Sequence, residues 1–187
     1  MTATAIQEKQ ADPKIPLTIS SLLREQYFGA GEGKKICAKD RNLTLALHYA
    51  HGKFPVIYTR TERFPGGESL DEVAERADST IDEVLLPYVQ KEAEGAAPTT
   101  IAIVSHGLFI AELVARLVKR NSAYQDGLFR VDARLLRGLK NTAYTKVQVT
   151  SNVCCYLLCS STTTTMTLSN RRRIVQLMEV TFLRRWL

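Results

Sequence analysis

The chain has 187 residues, 45% hydrophobic and 24% charged, with 10 Gly and 6 Pro, which suits a soluble globular domain able to bury a sizeable core. No basic segment followed by an apolar run opens it, and no window approaches the roughly 18 consecutive apolar residues of a membrane span; neither a secretory signal nor a transmembrane segment is expected, and the cytoplasm is the default location. The net charge of +6 resides mostly in residues 171–187, which hold Arg171, Arg172, Arg173, Arg184 and Arg185 against Glu179, so the main part is near neutral and nucleic acid is not an expected partner.

In chain order, residues 1–20 are mixed, and Pro13 and Pro16 break any helix begun near Thr4. "LLREQYFGAGEG", residues 22–33, sets Glu25 ahead of an aromatic pair and a glycine-bearing loop. Taken alone, Glu25 and Glu32 read as solvated loop residues. "DRNLTLALHYAH", residues 40–51, predicts a helix opened by Asp40 or Asn42 and stopped by Gly52. His48 and His51 are three apart on one helical face, but no third ligand is in view. They read as ordinary surface histidines, and no metal or other cofactor is expected.

Gly66-Gly67 makes a turn, after which Ser69 can cap a helix with Glu72 three residues on, the pattern of a capping box. That helix carries Leu70, Val73, Ala77, Ile81, Val84 and Leu85 at helical spacing and ends before Pro87 or soon after. Residues 93–99 form a linker. A strand then runs to Val104, and a helix with Leu108, Phe109, Ala111, Leu113, Val114, Leu117 and Val118 on one face follows. "NTAYTKVQVT", residues 141–150, alternates as a strand. The order is that of an α/β fold.

From residue 151 the character changes. The Thr run continues no clear element, and "IVQLMEVTFLRRWL" suits a short amphipathic helix. The segment 151–187 is therefore left as an unassigned tail, either disordered or ending in such a helix. Cys154, Cys155 and Cys159 lie far from Cys37 and have no histidine beside them. They form no disulfide framework and read as small apolar residues.

The seam at Ser105-His106-Gly107 is the chemically informative point. In open α/β sheets ligands gather beyond the carboxyl ends of strands, where helix N-termini aim amide groups outward. His106 adds a donor, and Gly107 lets an anion approach the backbone closely. A phosphoryl group fits such a place; the plain alternative is a polar residue capping a helix. Ser105 lacks the glycines of a nucleophile elbow, and no phosphate-binding glycine loop with its lysine follows. Arg60 and Arg63 could meet an anionic substrate, but exposed arginines are usually solvated, and neither is taken as a site.

Four segments, "LREQYFGAGEG", "FPGGESLDEVAERA", "IAIVSHGLFIAELV" and "NTAYTKV", occur in that order, and together they resemble the histidine phosphatase superfamily in its phosphoglycerate-mutase-like branch. The resemblance covers residues 1–150, taken as one domain apart from the 151–187 tail. It implies a three-layer α/β/α sandwich and phosphoryl transfer through a phosphohistidine without metal, acting on a phosphorylated small molecule. Carried over by position, Glu25 matches the proton donor in a Leu-x-Glu motif and His106 the second histidine, which contacts the phosphoryl group. Gly107 matches the glycine whose amide helps hold phosphate. Glu68 and Ser69 match the Gly-Glu-Ser element opening a helix near the pocket, and Asn141 the start of a late strand.

The family's nucleophile, a histidine in Arg-His-Gly, has no counterpart among the 187 residues, whose other histidines are His48 and His51. "MTATAI" resembles the helix that follows the family's first strand. The expectation is an incomplete sandwich without the first strand-helix unit. Its phosphomonoester hydrolysis or mutase action is impaired or absent, and its exposed sheet edges are open to self-association. The alternative is a non-catalytic phosphate-ligand-binding or interaction protein.

Overall fold

The structure, a computed structural model, describes residues 2–12, 15–94, 100–120, 144–149, 155–160 and 178–184. The helices are α1 Thr2–Gln7, α2 Leu45–Ala50, α3 Leu70–Thr80, α4 Leu86–Ala93 and α5 Gly107–Lys119. The strands are β1 Ile36–Cys37, β2 Phe54–Pro55, β3 Thr100–Ser105, β4 Tyr144–Val149, β5 Cys155–Ser160 and β6 Met178–Arg184. The architecture is mixed α/β. Two compact units divide it, residues 26–76 and the combination of 1–25 with 77–187.

In the unit 26–76, β1 and β2 pair in parallel around α2. Thr44 caps α2, its hydroxyl accepting from the Leu47 amide at 3.3 Å. Asp40 and Asn42 do not open the helix, because the Asp40 carboxylate is spent on a turn, accepting from the Asn42 amide at 2.9 Å. Gly52 ends α2 as expected, with φ +64°. His48 is no surface residue: it is 1% exposed. Its Nε2 accepts the Asp40 amide at 3.1 Å and its Nδ1 pairs with the Thr44 carbonyl at 2.9 Å, so both ring nitrogens serve the loop. Phe28, Tyr49, Phe54 and Phe64 form an aromatic cluster, with Phe54 and Phe64 edge to face at 5.5 Å.

The capping box is present as read. The Ser69 amide donates to the Glu72 carboxylate at 2.7 Å, and the Glu72 amide donates to the Ser69 hydroxyl at 3.2 Å. The helix runs past Pro87 to Ala93, through a wide π turn over Ile81–Leu85 in which the Leu86 amide reaches back to the Ile81 carbonyl. Pro87 supplies no amide and crowds the carbonyl four residues earlier, and widening the preceding turn relieves both problems without breaking the rod.

The other unit is built on α5 and a four-stranded sheet. Phe109 to Val114 are buried without a break, so the middle of α5 is enclosed rather than merely seated on one face. The sheet has the order β3-β6-β4-β5, with β3 parallel to β6 and the other pairs antiparallel. β6 therefore lies in the segment for which the sequence suggested a short helix. Its pairing with β3 is the reason: a strand there satisfies six consecutive residues of an otherwise open edge. β4 covers the alternating run after Asn141; Asn141 itself, Cys154, Arg171, Arg172, Arg173, Arg185 and most of the linker lie outside the described residues. Among the described residues no helix is long and apolar enough to cross a membrane.

Candidate functional site

β3 ends at Ser105, and α5 begins at Gly107. His106 between them has φ −118° and ψ 164°, extended backbone that ends the strand, while its carbonyl accepts the Ile110 amide at 2.9 Å to start the helix. It is the N-cap residue, but its side chain does not cap. The capping carboxylate comes from Glu25, 83 and 84 residues away in sequence from its two donors. The Phe109 amide donates to Glu25 Oε1 at 3.1 Å and the Leu108 amide to Oε2 at 3.4 Å. A carboxylate at a helix N-terminus is favoured by the amides and by the helix dipole together.

The segment that carries Glu25 is held by its own local chemistry. Ser20 caps a short 3-10 turn over Ser21–Leu23, its hydroxyl accepting from the Leu22 amide at 3.2 Å. Ser105, 2% exposed, donates its hydroxyl to the Leu23 carbonyl at 2.6 Å. Three bonds from opposite sides of the seam, Ser105 to Leu23 and the two α5 amides to Glu25, thus fix residues 21–25 against the end of β3. Glu25 therefore lies against the first turn of α5, the helix whose N-cap residue is His106 and which Gly107 begins. Arg24, beside Glu25, is exposed and donates to the Glu25 carbonyl at 3.3 Å.

The far half of α5 is pinned by charge. Arg116 donates to the Asp78 carboxylate through Nε at 2.6 Å and through Nη2. Arg120 reaches Asp78 at 3.1 Å and forks onto Asp82 at 2.5 and 3.1 Å. The Arg120 guanidinium holds the Asp82 carboxyl below its ordinary range. Sequence reading passed over these four residues. The signal was available, since two acids four apart on one helix can face two arginines four apart on another.

Glu68 and Ser69 belong to the unit 26–76. The Glu68 carboxylate is gripped by Arg76, with Nε to Oε1 at 3.1 Å and Nη2 to Oε2 at 3.0 Å, the two side chains being only 10% and 15% exposed. It also accepts the Tyr27 amide at 3.0 Å, while the Glu68 backbone exchanges bonds with Tyr27 and Gln26. Its work is to tie the 26–28 segment to the start of α3. Arg60 pairs with Asp71 at 2.8 Å, and Arg63 pairs with Glu72, so both guanidinium groups serve the first turn of α3.

Chemically, the seam offers a histidine at the carboxyl end of a half-buried strand, a carboxylate on the first turn of the helix that follows, and the glycine that begins α5. The amides of Leu108 and Phe109 are already engaged by Glu25. Neither a curated protein nor a solved structure matches the chain. The sequence model of the histidine phosphatase superfamily (branch 1) does match, over residues 1–154. That span takes in the Glu25 segment, the capping box and the His106 seam, and on it the chain belongs to the histidine phosphatase superfamily.

Proposed function

We propose that the chain binds a phosphorylated small molecule at the His106 seam, and that hydrolysis or mutase chemistry there is impaired or absent. The fold that goes with this reading is the three-layer α/β/α sandwich of the phosphoglycerate-mutase-like type. His106 is the imidazole that donates to the phosphoryl oxygens, Gly107 contributes its amide, and Glu25 is the acid for a leaving alcohol oxygen. Supporting it is the pair of bonds from the α5 amides to Glu25, which holds the acid at the first turn of the helix whose N-cap residue is His106. Among the 187 residues no imidazole stands in an Arg-His-Gly setting, the group whose attack on phosphorus divides such a reaction into two easier steps.

A second reading, a binder of phosphate ligands with no turnover, draws on the same carboxylate. Both Glu25 oxygens accept backbone amides, which is the duty of a helix cap. The purified chain, tested with a generic phosphomonoester beside a Glu25→Ala, His106→Ala double variant, shows whether any turnover accompanies binding. Turnover no higher than the double variant, with phosphate binding that weakens on His106→Ala, is the expected result. Turnover clearly above that control would show that hydrolysis is neither absent nor independent of these residues. Absence of phosphate binding would remove the phosphoryl reading altogether.

A further inference from the structure

The unit 26–76 carries its positive charge unevenly. Its Arg60, Arg63 and Arg76 are each paired with an acid at the start of α3 or just before it, Asp71, Glu72 and Glu68. Lys34, Lys35, Lys39, Arg41 and Lys53 differ: all five are exposed, and none makes an ion pair with a described residue. From residue 33 to residue 58 the single carboxylate is that of Asp40, which already accepts the Asn42 amide. The fold gathers these cations. In the parallel pair β1–β2, Ile36 is opposite Phe54, so the residues just before them, Lys35 and Lys53, are neighbours at the amino ends of the strands, and Lys34 adjoins. The buried His48 brings in the others. Its carbonyl accepts the Lys53 amide at 2.9 Å, and its Nε2 accepts the amide of Asp40, which Lys39 and Arg41 flank.

Like charges held this close repel one another, and an extended anionic partner relieves the repulsion. Four of the five are lysines, compact point charges on flexible stems. They suit a diffuse negative field better than the forked pairing that arginine makes with a single carboxylate or phosphate. The same elements also leave apolar side chains in the open: Ile36 on β1 is 45% exposed and Leu47 on α2 is 47% exposed. Apolar groups among lysines fit a partner that has a hydrocarbon layer beneath its charges. We infer that this basic patch of the unit 26–76 docks on an anionic lipid surface.

Co-sedimentation of the full chain with lipid vesicles tests this. Vesicles of phosphatidylcholine containing phosphatidylserine should retain the chain, vesicles of phosphatidylcholine alone should not, and added salt should release it. Each of Lys35→Gln, Lys39→Gln and Lys53→Gln should lower the partition coefficient about fivefold, and the three combined should abolish retention. In the unsubstituted chain, phosphatidylserine vesicles should shield Lys35 and Lys53 from acetylation, read by mass spectrometry, a result that no variant's folding can affect. The tail carries cations too, so Arg171→Gln, Arg172→Gln and Arg173→Gln together are the control. Loss of retention in that variant, with the triple lysine variant bound as the parent is, overturns the assignment. Equal retention on both kinds of vesicle, or on neither, overturns it as well. Binding to soluble polyglutamate without binding to vesicles does so too, and points to an acidic polypeptide in place of lipid.

Discussion

Gly29 shows how much one residue's lack of a side chain decides. Its φ is +55°, and a Cβ there would come within 2.4 Å of both the Gly67 amide nitrogen and the Pro65 carbonyl oxygen. Both obstacles are backbone, so nothing nearby can swing aside. Gly52 has a similar φ of +64° but open space around it. The comparison separates conformation from crowding. Gly52→Ala is expected to cost about 1 kcal/mol from the left-handed backbone alone. Gly29→Ala adds overpacking and should cost about 2–4 kcal/mol in all. Urea denaturation of the two variants beside the parent measures both, and equal losses would refute the crowding argument.

At the scale of elements, the entry to α3 titrates. The Ser69 amide, first, and then the Arg63 guanidinium hold the Glu72 carboxyl below its ordinary 4.5. A depressed folded-state value means that the unfolded chain binds the proton more readily, so this contribution to stability is fully present above about 4.5 and is lost as the pH falls through the lower folded value. Glu72→Gln should therefore shift the urea midpoint at neutral pH and leave it nearly unchanged in acid. A shift of the same size at both would assign the loss to packing. The carboxyl is well exposed, so the effect is modest and shrinks with salt.

This entry was legible beforehand because a capping box is written within four adjacent residues, as was the Gly52 stop. The burial of His48 was not legible, because its partners are an amide eight residues away and the carbonyl of the residue capping its helix, and the local pattern is equally that of a solvated face. The His106 seam could be read from the change of period at Gly107. The cap that Glu25 places on α5 could not, since nothing in the chain near either end announces a bond across 83 residues. Strand β6 belongs with it: its partner is fixed by the sheet, and its own composition suits a helix as well.

For the whole molecule the decisive fact is the position of β6 between β3 and β4. Removing residues 178–187 would take out an internal strand and leave β3 with no described neighbour in that sheet. The expected outcome is loss of the cooperative urea transition of the unit that holds α5, together with lower β signal in far-ultraviolet circular dichroism. A sharp transition retained at the parental midpoint would mean that β6 is dispensable to the sheet.

The same strand order reaches into biosynthesis. Of the described strands, the one that joins β3 to β4 is the last to leave the ribosome. Until it emerges, the nascent chain presents the rim of β3 and the β4–β5 hairpin as separate, unsatisfied pieces. Unpaired strand edges of that kind are where partly made chains aggregate, so the order of synthesis leaves the sheet open for longest at its centre.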